Sequence, residues 1–102
     1  MSRFVEFVKY RLKALSEEEF LQLRSAAITA VKAAHPALVA VPVLSQQPDG
    51  SWVDVWLYET KEGAEAANAD AGDIPEFLAF SGVLGDVEIE AGVMPEGAVS
   101  PL

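Results

Sequence analysis

Between Trp52 and Tyr58 the chain reads Trp-Val-Asp-Val-Trp-Leu-Tyr, a strict alternation with the period of a β-strand. It sets Trp52, Asp54, Trp56 and Tyr58 on one face and Val53, Val55 and Leu57 on the other, so both faces require cover. An aliphatic row is what a sheet buries against helices. On that reading the aromatic row faces away from them. Three rings of roughly 150–250 Å² each then form a patch of about 450–750 Å² if left in water. Soluble monomers rarely expose so much, and covering it contributes on the order of 10 kcal/mol as an upper bound. A second copy of the chain, a ligand, or both are therefore expected to pack on the aromatic row.

The remaining sequence supplies the other elements. Phe4 to Lys13 is rich in aromatic and β-branched residues and reads as the first strand. Ser16 is placed to cap a helix, Glu19 to complete a capping box and Leu15 to staple onto Phe20, while Glu17, Glu18 and Glu19 favour the helix dipole. Phe20, Leu23, Ala27, Val31 and Ala34 then recur at helical spacing, with Ile28 broadening the stripe, until His35-Pro36 ends it. Leu38 to Leu44 suits a second strand, which Pro42 pushes to a sheet edge or a bulge because it donates no ladder hydrogen bond. Pro48-Asp49-Gly50 turns that strand into the aromatic one. Thr60 caps a second helix made thin by Ala64, Ala66, Ala67, Ala69 and Ala71 and stopped by Gly72, which implies close approach to whatever lies beneath. Ile74 to Phe80 reads as a short extra helical turn and Val87 to Val93 as the last strand.

The order is strand, helix, strand, strand, helix, strand. It predicts an α+β, ferredoxin-like βαββαβ domain over residues 1–94, a four-stranded antiparallel sheet with two helices on one face, followed by a tail over 95–102. Two helices cover one face, which leaves the other for sheet-to-sheet pairing as a homodimer.

Composition removes several function classes. The chain has 102 residues, enough for one core, and its 51% hydrophobic and 23% charged content is that of a globular protein. With 16 acidic against 7 basic residues its net charge is −9, so phosphate backbones and anionic lipid surfaces are repelled; neither nucleic acid nor membrane is expected as a partner. The absence of cysteine excludes thiolate nucleophiles and thiolate metal sites and is compatible with a reducing cytosol. Arg3, Glu6 and Lys9 interrupt what would be a signal peptide's apolar stretch, and no apolar run approaches the length of a membrane span. A cytoplasmic location is expected.

The strand from Val5 to Leu12, the Ser-Glu-Glu-Glu-Phe helix start, Val55-Trp-Leu-Tyr-Glu-Thr60 leading into an Ala-rich helix, and Pro75-Glu-Phe77 resemble the antibiotic-biosynthesis-monooxygenase-like proteins of the dimeric α+β barrel superfamily over about the first 90 residues. The resemblance implies dimers whose sheets face each other and a small-molecule pocket between the sheet and the helices of each subunit. It implies activities that include oxygenases without metal or flavin acting on polycyclic phenols, haem degraders and small-molecule isomerases. The chain departs from the pattern at two places. The position where such proteins frequently carry a histidine on the second helix falls on Ala67, with Asn68 beside it, and the first strand lacks the asparagine that haem degraders tend to use. Haem is not expected, nor any other cofactor or metal.

In a cofactor-free oxygenase the substrate anion reduces dioxygen itself, and the protein chiefly favours the anion in a dry pocket. On this reading Trp52 and Trp56 bind a small aromatic ligand, Asp54 accepts a proton, Tyr58 orients or deprotonates the phenol, and Asn68 donates a hydrogen bond to oxygen. Arg3, Lys9 and Arg11 are the cations nearest to hand. The competing reading, in which the aromatic row is dimer core and the protein is a non-catalytic ligand-binding or structural homodimer, leaves these residues no chemistry. A roomy cavity with convergent polar groups favours the first, a filled interface the second. His35, at the end of a helix, reads as a C-terminal cation rather than a catalyst. Glu88 and Glu90 would suit a hard metal only together with Asp54; edge-strand charge accounts for them without one. A single histidine supports no Ser/His/Asp set, and the glycines match no phosphate-binding loop.

Overall fold

The computed structural model describes residues 2–99. Four strands, β1 (Arg3–Leu12), β2 (Leu38–Gln46), β3 (Trp52–Tyr58) and β4 (Leu84–Met94), form one antiparallel sheet in the order β2-β3-β1-β4. Helices α1 (Glu17–Ala34), α2 (Lys61–Asp70) and α3 (Pro75–Ser81) pack on one face of it, with a 3₁₀ turn at Ala71–Asp73 between the last two. This is the expected ferredoxin-like layer. No helix among the described residues is long and apolar enough to cross a membrane.

Local chemistry sets several element ends as the sequence indicates, but Gly72 does not stop α2, which ends at Asp70 and leaves Gly72 within the 3₁₀ turn, and β4 starts at Leu84 rather than Val87. The Ser16 hydroxyl accepts from the Glu19 amide at 3.1 Å, and Thr60 caps α2 by accepting from the Gly63 amide at 3.0 Å. Pro42 lies on the edge strand β2, within a stretch where the register against β3 shifts between Ala40 and Val43. Asp49 holds the β2–β3 turn by accepting from the Ser51 hydroxyl and amide, and Gly50 takes the positive φ of 86° that the turn requires. The close approach implied by the small residues of α2 is real: a Cβ on Gly63 would lie 2.6 Å from the Cβ of Ala37. His35 caps the end of α1 with its amide on the Val31 carbonyl, and its Nε2 lies 2.8 Å from Asp70. Of the tail expected over 95–102, Ser100 to Leu102 lie outside the described residues.

The faces of β3 are assigned the other way round from the expectation. Trp52, Asp54, Trp56 and Tyr58 lie beneath the helices, opposite Tyr10, Val8, Glu6 and Phe4 of β1, and the aromatic rings belong to the same core as Phe20, Ala27 and Val31 of α1, Ala64 and Ala67 of α2 and Phe80 of α3. Steric complementarity is the reason. A helix layer that offers alanines to the sheet leaves space that valines cannot fill and indoles can. The face away from the helices carries the aliphatic row instead, with Val53, Val55 and Leu57 opposite Lys9, Phe7 and Val5 and, from β2, Val43 opposite Val55; Val5 and Leu57 are buried and the rest of the row is at least partly open. Phe7 and Val43 are 46% and 48% exposed there. Glu88 and Glu90 of the edge strand β4 sit opposite Lys9 and Phe7 at the margin of this face. Asp54 is on the other side of the sheet, which rules out a shared metal site; among the described residues no cluster of three metal-ligating side chains forms.

Candidate functional site

Five residues were candidates from the sequence, and the structure divides them. Trp52 is core: its ring lies 5.2 Å from that of Phe20, and it lines no cavity with Trp56. Asp54 is fully buried, and its carboxylate is held by the Arg24 guanidinium, which donates from Nε at 3.0 Å and Nη2 at 2.9 Å, and by the Tyr10 hydroxyl at 2.7 Å. A carboxylate held by a bidentate arginine and a phenol is a structural ion pair with no contact to ligand space. The role of proton acceptor therefore does not belong to Asp54. Arg24 had a legible signal: it stands four residues after Phe20 on the buried stripe of α1, and a charge on such a stripe needs a partner.

Trp56, Tyr58 and Asn68 are brought together at a cavity of about 200 Å³ between the sheet and helices α2 and α3. Its walls are mostly apolar, with Val8 from β1, Val31 from α1, Phe77 and Phe80 from α3, and Val87 and Ile89 from β4. Phe77 meets Trp56 edge-on at 6.4 Å and Phe80 at 6.1 Å, so three rings brace one side. The exposed Val87 and Ile89 lie on the edge strand and form the mouth.

Glu6, which the sequence reading passed over, supplies the only carboxylate that the described residues contribute to the lining. It is 6% exposed and accepts from the Asn68 side-chain amide at 2.9 Å. The signal for it was present in β1, where Phe4, Val8 and Tyr10 share a face that the alternation also gives to Glu6. Tyr58 is a further polar group of the lining, beside Tyr10 and Ser81, whose hydroxyls donate to Asp54 and to the Leu78 carbonyl. Burial, then the charge of the nearby Glu6 carboxylate, push the Tyr58 phenol well above its ordinary value. A phenol that keeps its proton is able to donate a hydrogen bond into the cavity.

The Tyr10 phenol is raised as well, by burial first and by Asp54 second. These are the chain's two tyrosines, which makes the shifts measurable. Ultraviolet titration of the folded protein is expected to develop no tyrosinate as pH passes the ordinary phenol value of about 10. The stability contributed by the two neutral phenols is fully present below that unfolded-state value. It is lost as pH rises through the higher folded-state values, because the unfolded chain releases protons that the folded one keeps. A titration step near pH 10 with the fold intact would contradict the burial of one ring.

No protein-family model and no curated protein matches the sequence. Solved structures do. The cofactor-independent oxygenase SnoaB from Streptomyces nogalater superposes with a TM-score of 0.69 at 16% identity over 100% of both chains. The fold is that of the antibiotic-biosynthesis-monooxygenase-like proteins. Such a protein from Chloroflexus aurantiacus matches with a TM-score of 0.64 at 12% identity, over 96% of this chain and 97% of that one. A dimeric ferredoxin-like protein from an uncultured marine organism matches at 0.65 and 13% identity, over 99% and 95%. At these identities the likeness is one of fold.

Proposed function

We propose that the protein is a homodimer that binds a small aromatic molecule in the cavity beneath α2 and α3, and that it oxygenates a phenolic substrate there without a cofactor. The observation that carries the reading is the convergence of Glu6, Tyr58 and Asn68 on one apolar, aromatic-walled space. A filled core would leave a ligand no room, and a purely apolar void would give it no orientation. Neighbours of the same fold include a cofactor-independent oxygenase and a dimeric ferredoxin-like protein, which supports both halves of the proposal. The uncovered aliphatic face of the sheet is the surface through which the copies pair.

In this reading Trp56 lies along the ring system and Tyr58 and Asn68 orient its oxygen. Glu6, in place of Asp54, receives the phenolic proton. The phenolate then reduces dioxygen; one oxygen atom enters the ring as a quinone carbonyl and the other leaves as water, so the substrate supplies all the electrons. Dioxygen uptake matched by quinone formation from hydroxylated aromatics, with purified protein and no added cofactor, is the direct test. Uptake no faster than in buffer, with the ligand bound, would leave the non-catalytic reading.

Trp56→Ala separates pocket from interface. The truncation is expected to lower stability by about 3–5 kcal/mol and to weaken aromatic ligand binding while the dimer persists. Chemical denaturation, ligand titration and light scattering on the one variant read the three effects. Dissociation to monomer without loss of stability would return the aromatic row to the subunit interface.

A further inference from the structure

We propose that Glu6 selects the ligand, and that the ligand, on the pocket reading above, is a flat aromatic of one or two rings whose edge carries an O–H or N–H donor and no negative charge. Size sets the first limit. An apolar cavity of roughly 150 Å³ admits one benzene ring, so a cavity of about 200 Å³ takes one ring and part of a second within its walls. Charge sets the second. Glu6 is almost wholly buried, and the lining contributed by the described residues contains no lysine, arginine or histidine. The half-buried Arg24 of α1 is committed to Asp54. An anionic ligand would therefore meet a carboxylate at low dielectric with no cation to offset it.

Hydrogen-bond capacity sets the third limit. A carboxylate offers about four acceptor positions. The protein fills one with the Asn68 amide. Acceptor positions remain on a charged group that faces apolar walls, and a donor on the ligand would make a charge-assisted bond, roughly twice as strong as a neutral one. An ether in the same place has nothing to donate.

The test uses 2-naphthol, 2-methoxynaphthalene and 2-naphthoate near neutral pH, read from the Trp56 indole N–H resonance, with Trp52→Phe to assign it. 2-Naphthol is expected to bind about tenfold more tightly than its methyl ether, with 2-naphthoate the weakest. In Glu6→Gln, which keeps the shape and removes the charge, 2-naphthoate is expected to move up in rank. Equal affinity for naphthol and ether in the unmodified protein would overturn the role of Glu6 and leave the pocket reading standing; so would an unchanged rank for naphthoate in Glu6→Gln. If none of the three probes shifts the Trp56 signal, the pocket reading falls and this one with it. Should Glu6→Gln fail to fold, the ligand order in the unmodified protein decides alone.

Discussion

Replacing Arg24 with methionine is expected to destabilise the fold by about 3–5 kcal/mol, the range for breaking a buried ion pair by removing one partner. The Asp54 carboxylate is 0% exposed and takes two of its three hydrogen bonds from this guanidinium. Methionine fills most of the volume but leaves the charge with the Tyr10 hydroxyl alone. For a chain of this size the loss is a large part of a total of roughly 5–15 kcal/mol. Urea denaturation is the measurement, with the midpoint expected to fall by roughly 1 M or more. The size of the effect belongs to the stranded charge rather than to the worth of the pair. Converting the whole cluster, with Arg24→Met, Asp54→Leu and Tyr10→Phe together, is accordingly expected to recover most of the loss. A single-variant loss below about 1 kcal/mol would mean that the pair behaves like one on the surface.

The second large effect concerns the uncovered sheet face. Val55 lies in the aliphatic row, opposite Phe7 on one side and Val43 on the other, while Lys9, Glu88 and Glu90 stand toward the β4 edge. An apolar centre with a charged margin is the anatomy of a protein interface. In a symmetric dimer each copy contributes the same residue, so Val55→Lys buries two charges at once. At about 2 kcal/mol for each side, the dissociation constant is expected to rise by roughly three orders of magnitude. Light scattering across a dilution series should show the unmodified protein as a dimer and Val55→Lys as a folded monomer. A Val55→Lys protein that stays dimeric would place the interface elsewhere. Paired with Trp56→Ala, which truncates a side chain on the helix-covered face, the variant assigns each face of β3 by its consequence.

The two faces of β3 mark the boundary of what could be read from residues alone. Alternation divided Trp52, Asp54, Trp56 and Tyr58 from Val53, Val55 and Leu57 correctly, because the pleat of a strand is local. Which set went under the helices was not local. Both rows were apolar enough to be buried, and the choice depended on the shape of the opposing layer and on Arg24, thirty residues away from Asp54 in the chain. The same holds at the pocket, where Glu6 and Asn68 meet across a separation of 62 residues. Asn68 was identified from its place on the second helix; Glu6 looked like one more charge on an imperfect strand.

The sequence by itself determined the order of the elements, the starts of α1 and α2 and the layer they form, since caps such as Ser16 and Thr60, the proline on the edge strand and the glycine of the β2–β3 turn act within a few residues. Only the tertiary structure decided which carboxylate is committed to an arginine and which faces the cavity. Asp54 and Glu6 are both acids in apolar rows of neighbouring strands, with no local difference to tell them apart; they differ in what the helices bring to each, a guanidinium from α1 for Asp54 and an amide from α2 for Glu6.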